Sequence, residues 1–344
     1  MGVKIIDLFK GNEISFNELA GKVTAVDASN HLFQFLSTIR SNDGSLLTDS
    51  KGSVTSHLTG LFSRTSNLMQ KGIRMVYVFD GKSPELKKKE QKRRHELKLV
   101  AEKKFEEASE KEDIIQMKKY ASRTSRLTPE MVGEAKTLLS AMGIPTVQAP
   151  SEGEAQASFM TKKGDAYAVS SQDADCFLFG AKKLVRNLSI TGRKKKTGKL
   201  GYDSISPEIF VLDENLKNLK ISHEQLIVLG MLTGTDFNYG GIKGIGPKTA
   251  LKLVSEYPSD FDSLFEKVKW DDSFNFGWRE VFEIFEKIEV TEDYRLEWKK
   301  PSKERMMHIL VDEHDFSRER VEKTADEITD FYEKNSQEGL KKWF

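Results

Sequence analysis

Val23-Thr-Ala-Val-Asp27 is a short apolar run that ends in an acid, and this pattern decides the fold. It recurs in Met75-Val-Tyr-Val-Phe-Asp80 and in Ala166-Tyr-Ala-Val-Ser-Ser-Gln-Asp-Ala-Asp175. The apolar parts of these runs are β-branched or aromatic and are too short to be buried helices. We therefore predict three buried strands, each followed by at least one carboxylate.

Helical periodicity fills the segments between the predicted strands. Residues 57–69 carry Leu, Phe, Thr and Met side chains at helical spacing. Residues 134–142 repeat the pattern and are followed by Gly143, a typical helix C-cap. Because strand, helix and strand alternate, we predict an α/β fold with a parallel or mixed sheet flanked by helices.

The composition limits the possible classes of protein. The 344 residues include 54 Lys and Arg against 53 Asp and Glu, so the net charge of +1 draws the chain neither to nucleic acid nor to membrane. One cysteine excludes a disulfide framework. No apolar run reaches the roughly 20 residues of a membrane helix, and Asp7 interrupts the first apolar stretch, so we expect no targeting signal. These features predict a soluble intracellular protein.

Seven acids are candidate metal ligands. The carboxyl ends of parallel strands meet at one edge of a sheet, so the acids after the three predicted strands should converge there. Two more acids lie in Pro150-Ser-Glu-Gly-Glu154, and another precedes a glycine-rich turn. The full set is Asp27, Asp80, Glu152, Glu154, Asp173, Asp175 and Asp236.

Clustered carboxylates need divalent cations, since their mutual repulsion otherwise forces protonation or unfolding. Oxygen ligands without His or Cys favour Mg²⁺ over zinc. Two such ions about 3.5–4 Å apart would clamp a phosphodiester for hydrolysis. A phosphatase of the haloacid dehalogenase type also uses an Asp-x-Asp pair, but it would need Thr or Val where Phe177 stands.

Ser151 and Glu154 also fit a capping box that opens the helix after them. Residues two apart do not share a helix face, so Glu152 and Glu154 need not act alike. We expect one of them to point from the turn and the other from the first helical turn.

The run Gly240-Gly-Ile-Lys-Gly-Ile-Gly-Pro-Lys-Thr-Ala250 joins two predicted helices. Gly244 and Gly246 place backbone N–H groups at a helix N-terminus, and Lys243 and Lys248 add charge-assisted contacts to phosphate. The motif is typical of helix–hairpin–helix elements, which hold one DNA strand without reading its bases. The alternative is a glycine turn between packed helices that binds no ligand.

Two segments are strongly basic. Residues 87–104 contain nine Lys or Arg against three acids and have no wide apolar face, whereas residues 182–199 contain eight basic residues and no acid. The first segment predicts a helix and the second a hairpin or loop. The alternatives are a solvated surface helix and an exposed turn without a ligand.

In this order, Asp27-Ala-Ser29, Val78-Phe-Asp-Gly81, Ala149-Pro-Ser-Glu-Gly-Glu-Ala155, Ser171-Gln-Asp-Ala-Asp175 and Gly244-Ile-Gly-Pro-Lys248 resemble the motifs of archaeal-type flap endonucleases, which are XPG-like structure-specific nucleases. The resemblance covers nearly the whole chain. It implies a PIN-like nuclease core with a helical arch and a helix–hairpin–helix-type element. It also implies that the seven acids hold two Mg²⁺, with Mn²⁺ as a substitute.

The activity that this resemblance implies is that of a Mg²⁺-dependent 5′ flap endonuclease and 5′→3′ exonuclease. Its substrates would be branched DNA in replication, including Okazaki fragment maturation, and in repair. Lys87 and Arg94 match basic residues that reach the scissile phosphate, and residues 87–126 resemble the arch through which the 5′ flap passes. Phe33 matches a ring that stacks on a base near the cut, although a phenylalanine after a strand is ordinarily a core residue.

Further positions match DNA and ion contacts of the family. Thr55, His314, Phe316 and Arg320 resemble the region that holds a one-nucleotide 3′ flap, with His314 where Lys is common. The glycine-rich turn matches the archaeal form and implies a K⁺ site. The tail residues Gln337, Leu340, Trp343 and Phe344 resemble the peptide that docks on the PCNA sliding clamp. A frayed terminus with accidental aromatic residues is the alternative for that tail.

The resemblance divides the chain into five regions and implies that it works in the cytoplasm of an archaeal cell, associated with the nucleoid. The regions are an N-terminal nuclease region (1–98), the remainder of the arch (99–127), an internal nuclease region with the glycine-rich turn (128–257), a C-terminal helical region (258–335) and the PCNA-binding tail (336–344).

Two other functions remain open from the sequence. A non-catalytic scaffold that binds DNA junctions would explain the basic segments and the tail but not the seven acids. A sister XPG-like enzyme would prefer gaps, bubbles or four-way junctions. The compact length and the terminal clamp peptide favour flaps.

Overall fold

The structure is a computed structural model that describes residues 3, 5–110, 116, 120, 124–189, 192–195 and 202–341. The strands in these residues are β1 (Asn12–Glu13), β2 (Val23–Asp27), β3 (Arg74–Phe79), β4 (Thr146–Gln148), β5 (Ala168–Ser170), β6 (Lys183–Arg186), β7 (Gly192–Lys195), β8 (Tyr202–Ile205) and β9 (Glu208–Val211). The three strands predicted from the sequence are therefore confirmed as β2, β3 and β5.

The helices confirm the predicted alternation with the strands. They are α1 (Phe16–Leu19), α2 (Ala28–Thr38), α3 (Ser56–Gln70), α4 (Lys87–Glu110), α5 (Pro129–Ala141), α6 (Gly153–Lys163), α7 (Asp175–Leu178), α8 (Leu212–Leu219), α9 (His223–Thr233), α10 (Pro247–Glu256), α11 (Phe261–Lys267), α12 (Trp270–Ser273), α13 (Trp278–Lys287), α14 (Lys303–Met307) and α15 (Arg318–Lys341). The described residues also include a 3₁₀ turn (Ile6–Leu8) and a π-helix (His308–Glu313).

The main sheet has the strand order β1-β9-β6-β5-β2-β3-β4 and is mixed. The five adjacent strands from β6 to β4 are parallel, and β9 pairs antiparallel with both β6 and β1. From β2 the chain first proceeds outward through β3 and β4, and it then returns to β5 on the other side of β2. The strand order therefore reverses between β2 and β5, which makes the carboxyl ends of these strands a topological switch point.

Alternate side chains of the central strands pack against helices on opposite faces of the sheet. Ala25 and Val76 lie in one buried cluster with side chains of α6 and α9. Val26 and Met75 lie in a second cluster with side chains of α2, α3 and α5. Because both faces are covered, the strands read as continuous apolar runs in the sequence.

The remaining segments are attached to this core. Residues 183–186 of the basic segment 182–199 form β6 of the main sheet, whereas β7 pairs antiparallel with β8, which follows the segment. The predicted hairpin is therefore confirmed only at residues 192–195, and residues 190–191 and 196–199 lie outside the described residues. Helix α4 confirms the helix predicted for residues 87–104, but residues 111–115, 117–119 and 121–123 of the segment matched to the arch also lie outside the described residues. Helices α14 and α15 pack against α5 and α3. Among the described residues, no helix is both long enough and apolar enough to span a membrane.

Candidate active site

The acids at the strand ends converge at the switch point of the sheet. Asp27 is the last residue of β2, Asp80 directly follows β3, and Asp173 follows β5. Asp27 also caps α2, since the backbone N–H of Asn30 donates to its Oδ1 at 2.9 Å. This carboxylate is therefore both a helix cap and a member of the site.

Polar side chains join the carboxylates to one another. The Ser171 hydroxyl lies 3.4 Å from Oδ2 of Asp27 and 3.4 Å from Oε1 of Glu154. The side-chain amide of Asn30 donates to Oδ2 of Asp173 at 3.1 Å. The acids from β2, α6 and the loop after β5 thus surround a common space.

Two cations from α4 enter this group of acids. The Lys87 ammonium donates to Glu152 and lies 3.4 Å from Oδ2 of Asp236. Arg94 donates from Nη2 to the other oxygen of Asp236 and from Nε to Glu90 at 2.7 Å. The structure therefore places both predicted catalytic cations against predicted metal ligands.

The start of α6 differs from the predicted capping box. Glu152, not Ser151, is the N-cap residue, and its side chain makes no capping hydrogen bond. The Ser151 hydroxyl instead donates to the carbonyl of Lys82 at 3.1 Å. The backbone N–H of Gly153 donates to Oδ1 of Asp80 at 2.7 Å, so an acid from the neighbouring strand end does the work of a local cap. The predicted capping box is wrong, but Glu152 and Glu154 do occupy the turn and the first helical turn as expected.

The electrostatics of the site show an excess of negative charge. Burial, followed by the charge of Asp80, raises the pKa of Asp27 to about 8. Burial and Asp173 raise the pKa of Asp175 to about 7, and burial and Asp175 raise the pKa of Glu154 well above its usual range. Without added cations, these carboxylates hold protons that they would release in water.

The donor set fits hard divalent cations. Oε1 of Glu152 is buried without a hydrogen-bond partner, so it is an oxygen that needs a cation or donor. The buried Cys176 lies beside the acids, but burial and the charge of Glu154 raise the pKa of its thiol and keep it neutral. In the part of the chain that the structure describes, no group of three or more Asp, Glu, His or Cys side chains is already arranged to hold a metal ion. Lys87 instead takes the position of a cation between Glu152 and Asp236.

Comparison with known proteins agrees with this geometry. Residues 1–101 match the XPG N-terminal domain, and residues 143–236 match the XPG I-region. Flap endonuclease 1 of Pyrococcus abyssi is 50% identical over 344 residues, covering 100% of this chain and 98% of the relative. The chain belongs to the flap endonuclease family. It is a structure-specific 5′ nuclease of DNA replication and repair, and it shares the metal dependence of the family.

Solved structures of relatives confirm the PIN-like α/β nuclease fold. Flap endonuclease-1 from Methanococcus jannaschii superimposes with a TM-score of 0.76 at 44% identity, covering 97% of this chain and 100% of that one. The catalytic core of Rad2, solved in complex with DNA substrate, gives a TM-score of 0.67 at 23% identity over 95% of this chain and 100% of that core. Both matches extend over nearly the whole flap endonuclease chain.

The glycine-rich turn of this flap endonuclease lies next to Asp236. Gly246 is the N-cap of α10, and no side chain caps that helix. Gly240, Gly241 and Gly244 have φ values of +88°, +60° and +85°, which residues other than glycine rarely adopt. The uncapped N-terminus and the nearby Lys243 and Lys248 are consistent with the predicted phosphate contact.

Phe33 is at the surface and not in the core. Its side chain is 37% exposed, and the Lys98 ammonium from α4 lies 4.9 Å from the ring centroid. The core alternative for this residue is therefore wrong.

The residues matched to the 3′-flap region surround one cavity. It has a volume of about 910 Å³, and its lining includes Thr55, His314, Phe316 and Arg320. Nδ1 of His314 lies 3.0 Å from Oδ2 of Asp49, which joins the loop before α3 to the end of the π-helix. The structure thus brings together four residues that are separated by up to 265 positions.

Two of the four predicted tail residues lie in the last helix that the structure describes. Gln337 and Leu340 belong to α15, which continues past residue 336 to Lys341. Trp343 and Phe344 lie outside the described residues.

Sequence reasoning missed several polar residues that shape the site. Ser29 donates to Oδ2 of Asp80, while Asn30 and Ser171 bridge the acids. Glu90 is 3% exposed and binds both Arg93 and Arg94. Ser29 and Asn30 are detectable in principle, since polar residues in the first turn after a strand-end acid point to the same edge of the sheet.

Proposed function

We propose that this flap endonuclease holds two Mg²⁺ with its seven carboxylates and hydrolyses the phosphodiester at the base of a 5′ flap. The observation that supports the proposal most directly is the convergence of acids at the switch point of the sheet, where burial and neighbouring charges raise the pKa values of Asp27, Glu154 and Asp175. Bound Mg²⁺ would activate water and stabilise the leaving oxygen. Mn²⁺, which accepts the same oxygen ligands, should substitute.

Lys87 and Arg94 are suited to bind the scissile phosphate. Both reach the acids from the first two turns of α4, and both remain charged at neutral pH. When the carboxylates are neutralised by other cations, the two side chains become available to a phosphate at the same place. Their bonds to phosphate oxygens would orient the reacting phosphodiester and offset its developing charge.

DNA contacts outside the cleavage site extend the proposal. The glycine-rich turn, with Lys243, Gly244, Gly246 and Lys248, would bind the backbone of the duplex, and a K⁺ ion could serve there as a further bridge to phosphate. Phe33 would stack on a base near the cut. The cavity at Thr55 and Arg320 would receive a one-nucleotide 3′ flap. Because these contacts are mainly to phosphate, binding should weaken steeply with salt.

The C-terminal tail is proposed to dock on the PCNA sliding clamp. Gln337 and Leu340 are three positions apart, and the aromatic pair Trp343 and Phe344 follows after two lysines. Such spacing suits a short helical peptide with a polar and an apolar anchor.

A cleavage panel tests the proposed reaction. Wild-type protein should cut 5′-flap DNA with Mg²⁺, cut pseudo-Y, gapped and four-way-junction DNAs less well, and cut none of them without the metal. The Asp173→Ala variant should bind flap DNA but not cleave it. Asp262→Ala, which removes an exposed acid from α11, should behave as wild type.

Each result of the panel separates the alternatives. Binding without Mg²⁺-dependent cleavage by the wild type would indicate a junction-binding scaffold. A preference for gaps or four-way junctions would indicate the activity of a sister enzyme. Full turnover by Asp173→Ala would reject the proposed metal site.

A further inference from the structure

A small aromatic cavity lies beside the proposed cleavage site, and no role described above uses it. Its volume is about 230 Å³, below the range of roughly 300–1,000 Å³ that is typical for drug-sized ligands. Asp236 lines one side, while Tyr239, Phe274 and Phe276 supply aromatic surface. A single planar ring system is therefore a better match for this space than a whole nucleotide.

Tyr239 is held in place although it is open to solvent. Its side chain is 55% exposed, and the guanidinium carbon of Arg93 lies 3.8 Å from the centre of its ring. Two hydrogen bonds of 2.7 Å from Arg93 to the buried Glu90 fix that guanidinium group. Tyr239 is thus an exposed aromatic ring with little freedom to lose on binding, and such rings are suited to stack on a nucleobase.

The part of the cavity wall formed by Phe274 and Phe276 is also ordered. The rings of Phe274 and Phe276 lie 5.3 Å apart, and the carbonyl of Phe276 accepts a hydrogen bond of 2.8 Å from the indole of Trp270. The Lys89 ammonium binds Asn275 at 2.7 Å and lies 5.8 Å from the Phe276 ring. Cationic groups of Lys89 and Arg93 therefore flank the aromatic surface, as expected where a base enters with its phosphate attached.

We propose that this cavity binds a nucleobase of the unpaired 5′ strand, next to the nucleotide whose phosphate is cut. The inference rests on the proposed function, because Asp236 both lines the cavity and belongs to the cleavage site. Stacking accepts any base, so the contact would favour an unpaired strand without selecting a sequence. The contact would help the enzyme to distinguish flap DNA from duplex DNA. Phosphate contacts cannot do this, since duplex and single strands both carry phosphates.

A double-mutant cycle tests the proposal by removing the Tyr239 ring and the flap bases separately and together. Binding of the full-length protein would be measured by fluorescence anisotropy in EDTA, which prevents cleavage. The DNAs would be a 5′ flap with normal bases, the same flap with abasic sites at its first three unpaired nucleotides, and a nicked duplex without a flap. The variants would be Tyr239→Ala and the ring-preserving control Tyr239→Phe.

We expect Tyr239→Ala to weaken binding of the normal flap about 5- to 150-fold, which corresponds to about 1–3 kcal/mol. The same variant should bind the abasic flap and the nicked duplex within about twofold of wild type, and Tyr239→Phe should bind all three DNAs as wild type does. A 2-aminopurine base in the flap should be quenched by the wild type but not by Tyr239→Ala.

Two results would overturn the proposal. One is an equal loss of affinity for all three DNAs, which would indicate a structural role or a phosphate contact. The other is unchanged affinity of Tyr239→Ala for the normal flap. Failure of the proposed function would differ from both, because the wild type itself would then not prefer the normal flap to the nicked duplex.

Discussion

Lys87 donates a hydrogen bond from its ammonium group to Oε2 of Glu152, which lies 65 positions away in the sequence. Burial alone would lower the pKa of Lys87, but the charges of Glu152 and Asp236 overcome this effect and raise it. The lysine therefore stays charged inside the acidic site. Its positive charge offsets the mutual repulsion of these carboxylates.

Replacing Lys87 should separate its effect on the stability of the protein from its effect on flap cleavage. Lys87→Ala leaves Glu152 buried without its partner, so we expect the metal-free variant to lose about 1–3 kcal/mol of stability. Mg²⁺ should restore more stability in the variant than it adds to wild type, because no internal cation competes for the acids. Flap cleavage should slow by roughly 10²–10³-fold if Lys87 stabilises the transition state.

Thermal unfolding with a Mg²⁺ titration and single-turnover cleavage would measure these changes. Lys88→Ala is the matched control, because Lys88 is 60% exposed and pairs with Glu85 on the surface. If Mg²⁺ stabilised the Lys87→Ala variant and the wild type equally, Lys87 would not compete with Mg²⁺ for the carboxylates.

The raised pKa of Asp27 predicts an unusual pH dependence. An unfolded Asp releases its proton near pH 3.8, whereas Asp27 in the fold keeps it until about pH 8. The folded state thus binds more protons between these values, so this residue costs stability as the pH rises through that window. Asp27→Asn should remove the cost and still cap α2, since Asn is an equally good N-cap.

The measurement is the free energy of unfolding in EDTA at several pH values. The stability advantage of Asp27→Asn over wild type should grow from pH 5 to pH 8, by at most about 1.4 kcal/mol per unit. Asp260→Asn is a control at another helix cap, where hydrogen bonds with Ser263 lower the pKa of the carboxyl. A pH-independent difference between Asp27→Asn and wild type would refute the prediction.

Two adjacent glycines offer a test of the glycine-rich turn that we propose binds phosphate. A Cβ on Gly241 would lie 2.5 Å from both the backbone N of Gly234 and the carbonyl O of Leu232, whereas a Cβ on Gly240 would meet no atom within 4 Å. Both glycines have positive φ values, so alanine adds strain of roughly 1–2 kcal/mol at either position. Only Gly241→Ala must also push two backbone segments apart.

We therefore expect Gly241→Ala to lower stability and duplex binding more than Gly240→Ala. Chemical denaturation and anisotropy with flap DNA would compare the two variants. Equal losses would show that backbone conformation, and not the close contact with Gly234, controls this turn.

The proposed clamp contact can be removed without touching the cleavage site. Deletion of residues 337–344 should leave intrinsic flap cleavage unchanged and abolish its stimulation by PCNA. A Lys341→Ala and Lys342→Ala double variant keeps the polar, apolar and aromatic anchors and should retain stimulation. Steady-state cleavage with and without the clamp is the readout, and undiminished stimulation of the deletion would exclude the docking role.

The sequence was sufficient for features that depend on local pattern. Strand β2 was predictable from its apolar run, and Asp27 from its position at the end of that run. The capping box at Ser151 failed because the carboxylate of Asp80, distant in sequence, accepts the hydrogen bond of the Gly153 backbone N–H. Local pattern cannot show such a competitor.

Long-range polar contacts were also beyond the sequence. Nothing near Asn30 indicates that its amide bonds to Asp173, 143 positions away. The Arg93–Tyr239 contact likewise depends on how α4 approaches the glycine-rich turn. The family resemblance supplied the candidate residues, whereas only the three-dimensional arrangement shows how they are joined.

The spacing of residues along α4 constrains how this region can evolve. Lys87, Glu90 and Arg94 are three and four positions apart, so they share one side of the helix. Insertion of a single residue between Lys87 and Arg94 would turn everything beyond it by about 100°. Substitutions at the other positions of these two turns would preserve this arrangement, whereas an insertion or deletion would move Arg94 away from Asp236.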